Sequence, residues 1–364
     1  MSILKAKPGA LRGSLKDRIL HSLINGPIDA DKVDYLMRDC AHLGLTFGKA
    51  IDLERLVRCL TIVFRQKGES TYAALGIHEK GKIPAEAIAF ARYAMFGQVY
   101  WHHAYRSIKA MIHRMVWEVL SGQQDDEGRT KVRNAFRQFV SGKDEEGRLF
   151  PTRDELPAGP IRRSDLMVLE WFSQRGGADG ETLFELIKHR RLFKRVATLS
   201  RERAHDENLL ERLAEVYRPT RKDWRTKLRL QQVLQRRIVE MIEHPTQPPA
   251  VSFLITPDAR NSFIVAGKNG IVILMDMPPD RQPSDTMLEL VVEEDRRAYK
   301  SDEIRTGSFE KSVVWTSLQH NFYDSLGKVR VFCHPDHASF LSAFLARDAI
   351  ENALSAALQE VEEQ

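Results

Sequence analysis

The sequence predicts a mostly helical fold that ends in a small α+β lobe. Apolar residues recur at helical spacing over most of the first 243 residues, whereas short runs rich in β-branched and aromatic residues follow residue 250. A proline-rich segment, His244–Pro249, separates the two patterns and is typical of a linker. We therefore expect domains at residues 1–120, 121–244 and 245–364.

The first helices are predicted from apolar spacing and from helix-start signals. Residues 14–24 have the pattern of an amphipathic helix, and the glycine and proline that follow end it. Asp29 is a candidate cap for the next helix, and a third helix is predicted over residues 52–64. The first part of the chain is therefore predicted to be helical.

A hairpin is predicted next, over residues 71–83, with its turn at Lys80 and Gly81. Pro84 then starts a long helix, predicted to run to about residue 120. Residues 160–243 are again predicted to be mostly helical. The hairpin is thus the one strand pair expected before the linker.

The α+β lobe is predicted from five β-like runs and a final amphipathic helix. The runs are Val251–Ile255, Phe263–Ala266, Ile271–Met275, Ser312–Trp315 and Val329–Cys333. Apolar residues from Phe340 to Leu358 then recur at helical spacing. The chain is therefore expected to close with a helix on a small sheet.

Composition narrows the class of protein. The chain has 364 residues, 43% hydrophobic and 29% charged, which is typical of a soluble globular protein. No apolar run approaches the roughly 18 residues that span a bilayer, and the N-terminus lacks the apolar core of a signal peptide. Three scattered cysteines fit a reducing compartment. We expect a cytoplasmic protein that does not contact membranes.

Residues 29–39 carry the densest group of chemically versatile side chains. On a helix, Asp31, Lys32, Tyr35 and Asp39 fall on neighbouring turns of one side, where together they could hold a metal ion, a phosphate and a sugar. The alternative is an ordinary helix N-terminus, with Asp29 as its cap and acidic residues in its first turn. Spacing alone leaves both interpretations open.

This motif also resembles a known signature. It is similar to the last signature of the HD-domain phosphohydrolases, and most similar to the deoxynucleoside triphosphate triphosphohydrolase branch, which includes the SAM-and-HD-domain enzyme of animals. Residues 51–56, 91–103 and 328–333 are similar to the same branch. The motif itself reads Asn25-Gly26-Pro27-Ile28-Asp29-Ala30-Asp31-Lys32-Val33-Asp34-Tyr35, followed by Arg38-Asp39-Cys40 and Leu43-Gly44.

The resemblance implies a divalent metal ion and an incomplete site for it. Family members bind the metal through a histidine, then a His-Asp pair, then a distant aspartate, which Asp31 matches. Only His21 precedes Asp31, and no His-Asp pair does. The resemblance therefore implies the C-terminal portion of an HD-domain helical fold, with Asp31 as its metal ligand. Such a chain is expected to be inactive alone, which leaves open whether it is an enzyme.

The resemblance also implies residues that bind a deoxynucleoside triphosphate. Lys32 would contact the triphosphate, and Tyr35 and Asp39 would line the nucleotide pocket. His103 matches a phosphate-contacting histidine of the branch. Val99 replaces the neighbouring phosphate-binding arginine, and Arg106, one helical turn beyond His103, is the residue that could substitute for it.

Two kinds of partner are predicted besides the nucleotide. A second function class is a regulatory or scaffolding subunit. It would either complete its site with a partner chain that supplies the His-Asp half, or bind nucleotide or nucleic acid without turnover. We also expect a homo-oligomer. Nucleic acid is the other partner, because residues 188–237 contain 16 Lys or Arg against 6 Asp or Glu. The alternative for this block is a set of amphipathic helices with solvated basic faces.

Overall fold

A computed structural model describes the protein at residues 15–26, 28–67, 70–141, 164–201, 207–217, 224–245, 255–278, 289–291, 306–308, 312–320, 322 and 326–363. None of the helices in these ranges is long and apolar enough to cross a membrane. The chain forms two compact units. Unit 1 contains Met1–His102 and Arg281–Gly327, and unit 2 contains His103–Asp280 and Lys328–Gln364.

Helices dominate the described chain, and the strands form two small sheets, which confirms the predicted fold class. The domain limits predicted near residues 120 and 244 stay predictions. The α-helices are α1 Leu15–Asn25, α2 Ala30–His42, α3 Leu53–Cys59, α4 Lys82–Met95, α5 His103–Ser121, α6 Asp126–Val140, α7 Asp165–Ser173, α8 Gly177–Lys188, α9 Glu207–Tyr217, α10 Trp224–Glu243, α11 Pro257–Asn269, α12 Val313–His320, α13 Ala338–Phe344 and α14 Arg347–Glu362. The strands are β1 Leu60–Lys67, β2 Ser70–His78, β3 Lys194–Leu199, β4 Ile273–Asp276, β5 Glu289–Val291, β6 Thr306–Ser308 and β7 Val329–Cys333.

Unit 1 packs helices beside a four-stranded sheet of order β1-β2-β5-β6. The β1–β2 and β5–β6 pairs are antiparallel, whereas β2 and β5 are parallel. Side chains from α2, α3, β2 and α4 form its core, among them Leu36, Leu56, Ile77, Ile88 and Met95. This core fixes α2, the helix that carries the sequence motif.

Unit 2 is built around α5 and a three-stranded antiparallel sheet of order β3-β7-β4. One face of α5 packs on α8 and on the sheet, with Met111, Met115, Leu183, Leu274 and Phe332 in the shared core. The strands β4 and β7 are buried along their whole length. Such strands must be covered on both faces, which explains the dense apolar run at Val329–Cys333.

A buried ion pair joins α5 to the sheet of unit 2. Arg106 Nη2 donates to Asp276 Oδ1 at 2.6 Å, Arg106 Nε donates to the other carboxylate oxygen, and both residues are at most 3% exposed. Arg330 lies opposite Asp276 in the strand register. Burial raises the pKa of Asp276 more than Arg106 lowers it. The bidentate pair therefore compensates only part of the cost of burying the carboxylate.

The region that follows Asp52 differs from the prediction. The helix α3 ends at Cys59 instead of near residue 64, and β1 pairs with β2 so that Leu60 lies opposite Ile77. The hairpin predicted over residues 71–83 is therefore wrong. The observed hairpin joins β1 to β2, so residues 71–78 lie in its second strand. Residues 79–81, where the turn was predicted, form a 3-10 turn. A run of β-branched and aromatic residues at 61–64 favours the strand over continued helix.

Part of the predicted α+β lobe is confirmed. The runs at Ile271–Met275 and Val329–Cys333 correspond to β4 and β7. The run at Val251–Ile255 lies largely outside the described residues. The final helix is divided at residues 345–346 into α13 and α14. Unbroken apolar runs that end at a turn were thus a sound signal for the buried strands.

Two predicted strands of this lobe are wrong, because capping residues make both of them helical. Phe263–Ala266 lies inside α11, where the Thr256 hydroxyl accepts from the backbone N–H of Ala259 at 3.2 Å and a proline occupies the first turn. Ser312–Trp315 belongs to the start of α12, where the Ser312 hydroxyl accepts from the N–H of Trp315 at 3.1 Å. Short apolar runs do not distinguish strand from helix.

Loss of one partner of the buried pair should destabilise unit 2. We expect Arg106→Ala to lower the free energy of unfolding by about 3 kcal/mol, because Asp276 would stay buried without its bidentate partner. Chemical denaturation measures the change. The double variant Arg106→Met/Asp276→Leu removes both charges of the pair but leaves buried Arg330 without this carboxylate, so it should recover only part of the loss. A loss for Arg106→Ala as small as that of an exposed ion pair would contradict this assignment.

Candidate functional site

The N-terminus of α2 is an ordinary capped helix start. The Asp29 carboxylate accepts from the backbone N–H of Lys32 at 2.7 Å, and Asp29 is 4% exposed. The Lys32 ammonium pairs with the same carboxylate and donates to the carbonyl of Gly26 at 2.8 Å. The predicted cap is therefore confirmed, and Lys32 is half-buried against its own helix start.

Asp31 is exposed in the first turn of α2. Within the ranges that the structure describes, no three His, Cys, Asp or Glu side chains come close enough to hold a metal ion. A divalent ion needs several protein ligands, and one exposed carboxylate does not hold it. The described residues thus fit at most one ligand of the metal site that the resemblance implies.

Farther along α2, four polar side chains of unit 1 form what we call the α2 cluster: Tyr35, Asp39, Arg92 and Tyr100. Tyr100 donates its hydroxyl hydrogen to Asp39 Oδ2 at 2.6 Å. The Tyr35 and Tyr100 rings meet edge to face with centroids 6.0 Å apart, and the positive charge of Arg92 lies close enough to Tyr35 to favour its ionised form. The cluster therefore combines a carboxylate, two phenols and a guanidinium on one side of α2.

Burial raises the pKa of both phenol groups of the α2 cluster. It raises the pKa of Tyr100, and the hydrogen bond to Asp39 raises it further because ionisation would place two negative charges side by side. Burial also raises the pKa of Tyr35, although Arg92 opposes this shift. Tyr100 is consequently a permanent donor to Asp39, whose second oxygen can accept a hydrogen bond from a ligand hydroxyl.

A π-helical turn at Phe96–Tyr100 places Tyr100 in the α2 cluster. The backbone N–H of Trp101 donates to the carbonyl of Phe96 at 2.9 Å, five residues back, which widens the end of α4. The Phe96 ring contacts those of Tyr100, Trp101 and Phe322, with centroids 5.0, 5.3 and 5.2 Å apart. The long helix predicted from Pro84 to residue 120 is therefore interrupted. Such π-turns recur at functional sites.

The other two predicted residues lie in unit 2. His103 is exposed at the start of α5. Arg106 is 2% exposed, and its guanidinium is committed to Asp276. A buried, paired guanidinium is not accessible to a nucleotide phosphate, so we assign Arg106 a structural role in place of the predicted phosphate contact.

Sequence reasoning did not single out Arg92 and Tyr100, the two members of the α2 cluster outside α2. Both lie in the stretch 91–103, whose resemblance was noted as a whole. Tyr100 is 61 residues from Asp39 along the chain, and an irregular helix end sets its direction. The available signal was the polar side chain of Tyr100 itself. Its direction depends on the π-helical turn, which helical periodicity alone does not predict.

Residues 51–135, which run from before α3 into α6, match the family described as the HD associated region. This match covers part of the chain and places a region that accompanies HD domains directly after the motif helix. Residues 51–135 therefore support, at the level of the superfamily, a likeness to the HD-domain phosphohydrolases.

Two curated proteins of unassigned function are similar to part of the chain. An uncharacterized protein of Methanocaldococcus jannaschii is 39% identical over 94 residues, which are 26% of this chain and 20% of that protein. The uncharacterized protein YwfO of Bacillus subtilis is 34% identical over 113 residues, 31% of this chain and 24% of that protein. The matches span only about a fifth to a quarter of each relative.

A solved structure also has some likeness to the chain. The crystal structure of a phosphohydrolase from Bacteroides thetaiotaomicron has 17% sequence identity and a TM-score of 0.40, over 87% of this chain and 64% of that chain. A TM-score of this size does not establish a shared fold.

Removal of the Tyr100 hydroxyl should weaken unit 1 in a pH-dependent way. We expect Tyr100→Phe to lower the free energy of unfolding by about 1.5 kcal/mol near neutral pH, because Asp39 loses a half-buried hydrogen-bond donor. Above about pH 10 an unfolded tyrosine loses its proton while folded Tyr100 keeps it, so wild-type stability falls as the pH rises. The variant should lose stability less steeply there.

Denaturant titrations between pH 7 and 11 measure both effects. Tyr105→Phe is the matched control, because Tyr105 is 54% exposed and its hydroxyl lies outside the α2 cluster. Equal slopes for the wild type and Tyr100→Phe above pH 10 would show that the raised pKa of Tyr100 has been assigned wrongly.

Proposed function

We propose that the chain contributes one half of a metal-dependent phosphohydrolase site that resembles those of the deoxynucleoside triphosphate triphosphohydrolases. The signature-like motif in α2 and the HD associated region that follows it support this proposal. The α2 cluster is the observation that carries this proposal, because it places a hydrogen-bond acceptor, Asp39, and hydrogen-bond donors beside aromatic rings. That combination suits a sugar and its base.

Each motif residue then has a chemical role. Lys32 would offset phosphate charge. To do so, its ammonium group must leave the Asp29 carboxylate and bind phosphate oxygens instead. Asp39 would accept from the sugar hydroxyl, and Tyr35 would pack on the sugar. Asp31 would supply one oxygen ligand to a divalent ion, and the phosphate contact that the resemblance implies for His103 stays a prediction. A bound divalent ion would supply Lewis-acid chemistry at the phosphate.

The metal site needs a second set of side chains. In the printed sequence no His-Asp pair precedes Asp31. The remaining ligands would come from a separate segment, such as a partner chain with the His-Asp half. We therefore propose that this chain alone binds nucleotide without ordinary turnover. The alternative is a regulatory or scaffolding subunit, favoured by the absence of a metal-binding group among the described residues.

A turnover assay with a binding assay tests the proposal. Purified chain with Mg²⁺ or Mn²⁺ should leave deoxynucleoside triphosphates intact but bind them, as calorimetry can measure. Lys32→Met should weaken binding about tenfold, the effect of one lost charge-assisted contact. Lys49→Met, at an exposed lysine of unit 1, is the control and should bind as the wild type does.

Two results would contradict the proposal. Ordinary turnover that disappears in Asp31→Ala would mean that the chain completes its own metal site. Equal affinity in Lys32→Met and Lys49→Met would remove Lys32 from the nucleotide site. The mass of the native complex, with the sequence of any co-purified chain, distinguishes a homo-oligomer from a complex with a partner that carries the His-Asp half.

A further inference from the structure

Unit 2 contains a cleft of about 520 Å³ that no residue of the motif lines. We call it the α10 cleft, because six of its ten lining residues come from the first turns of α10. The others come from the end of α5, the loop after it, α6 and the end of α14. The lining residues are Ser121, Gln123, Arg129, Trp224, Arg225, Thr226, Leu228, Arg229, Gln232 and Val361.

Three arginines give the α10 cleft a positive charge. Arg225 and Arg229 are exposed and lie four residues apart, so both project from one face of α10. Arg129 enters from α6, and its orientation is fixed because Nη1 donates to the carbonyl of Gln123 at 3.0 Å. One guanidinium group can donate two parallel hydrogen bonds to two oxygens of a phosphate. The N-terminus of α10 adds positive electrostatic potential.

An aromatic ring and neutral polar groups complete the lining. Trp224 is half-buried, and the Arg225 guanidinium lies over its ring, with the guanidinium carbon 5.4 Å from the centroid. A base that stacks on this face must displace Arg225 from it. The lining hydroxyls belong to Ser121 and Thr226. A nucleotide base can stack on the indole ring and hydrogen-bond to these hydroxyl groups, whereas inorganic phosphate needs no aromatic ring.

One carboxylate competes for this positive charge. Asp126 accepts from Arg129 Nη2 at 2.7 Å, and its carboxylate lies 3.9 Å from Arg225. Arg129 holds the pKa of Asp126 below its usual range, so this carboxylate is charged near neutral pH. Asp126 is 95% exposed at its side chain and can turn into solvent when an anion binds.

We propose that the α10 cleft binds a nucleoside polyphosphate, with phosphates on Arg129, Arg225 and Arg229 and the base on Trp224. Cleft volume, cation number and the single aromatic face favour a small nucleotide over an extended strand. This site is additional to the one proposed on α2, and it does not depend on that proposal.

Arginine variants test the phosphate contacts. Calorimetry on the full chain, with a deoxynucleoside triphosphate and with tripolyphosphate as probes, should give about tenfold weaker binding of both for Arg229→Ala. Arg137→Ala is the control, since it removes an exposed arginine of α6 outside the cleft, and should match the wild type. Asp126→Asn should bind both probes more tightly, because it removes the competing charge but keeps an acceptor for Arg129.

Trp224 variants test the base contact. Trp224→Leu should weaken nucleotide binding several-fold and leave tripolyphosphate binding unchanged, whereas Trp224→Phe should keep most of the nucleotide affinity. Loss of nucleotide binding in Lys32→Met with no change in Arg229→Ala would overturn the α10 site while supporting the α2 site. The converse result would support the α10 site alone.

Other outcomes also decide the identity of the ligand. If Trp224→Leu bound the nucleotide and tripolyphosphate as tightly as the wild type does, the assignment of the ligand as a nucleotide would be overturned. A single-stranded oligonucleotide that binds more tightly than the free nucleotide, with a steep salt dependence, would overturn the assignment to a small ligand. Equal affinity of Arg229→Ala and Arg137→Ala for every probe would remove the site altogether.

Discussion

Close packing of α2 against α4 and against the turn at residues 47–50 fixes the candidate site. Leu36 is fully buried, and Cys40 Sγ lies 3.4 Å from Met95 Sδ. A Cβ at Gly48 would lie 2.8 Å from the Cβ of Cys40, so the close approach of this turn needs a glycine. Tyr35 directly precedes Leu36 and Asp39 directly precedes Cys40, which are two of the three buried residues of α2. The packing therefore holds both polar side chains at the edge of the buried face.

The two interpretations of the motif apply to different residues of the same helix. Asp29 caps α2 and pairs with Lys32, which is ordinary helix-start chemistry. Asp39 and Tyr35 lie beyond the first turn and have no part in the cap, and they meet Tyr100 and Arg92 from a distant segment. A capped helix start thus gives Tyr35 and Asp39 a rigid base. Because Lys32 is bound at this start, its use as a phosphate ligand requires a competing anion.

The basic block at residues 188–237 shows how tertiary contacts select among charges. Arg236 and Arg237 both pair with Glu360 of α14, the second at 2.8 Å, and Arg212 pairs with Glu362. The two glutamates offset part of the charge of these three arginines and tie α14 to α9 and α10. At the start of α10 the arginines instead line a cleft with Trp224. Charge counting alone does not separate these two groups.

The sequence by itself determined the features that depend on neighbouring residues: the helix at residues 14–24, the cap at Asp29, the buried strands at 271–275 and 329–333, and the mostly helical class. Caps and periodicity act over a few residues and can be identified locally. The tertiary structure decided the partner of Asp39, the burial of Arg106 and the strand β3, which pairs with β7 although more than a hundred residues separate them. These features depend on contacts distant in sequence, whose energy exists only once the core has formed. The same reason explains why Tyr100 was missed: the π-turn that directs it is stabilised by rings packed around Phe96, and local propensity favours an unbroken helix there.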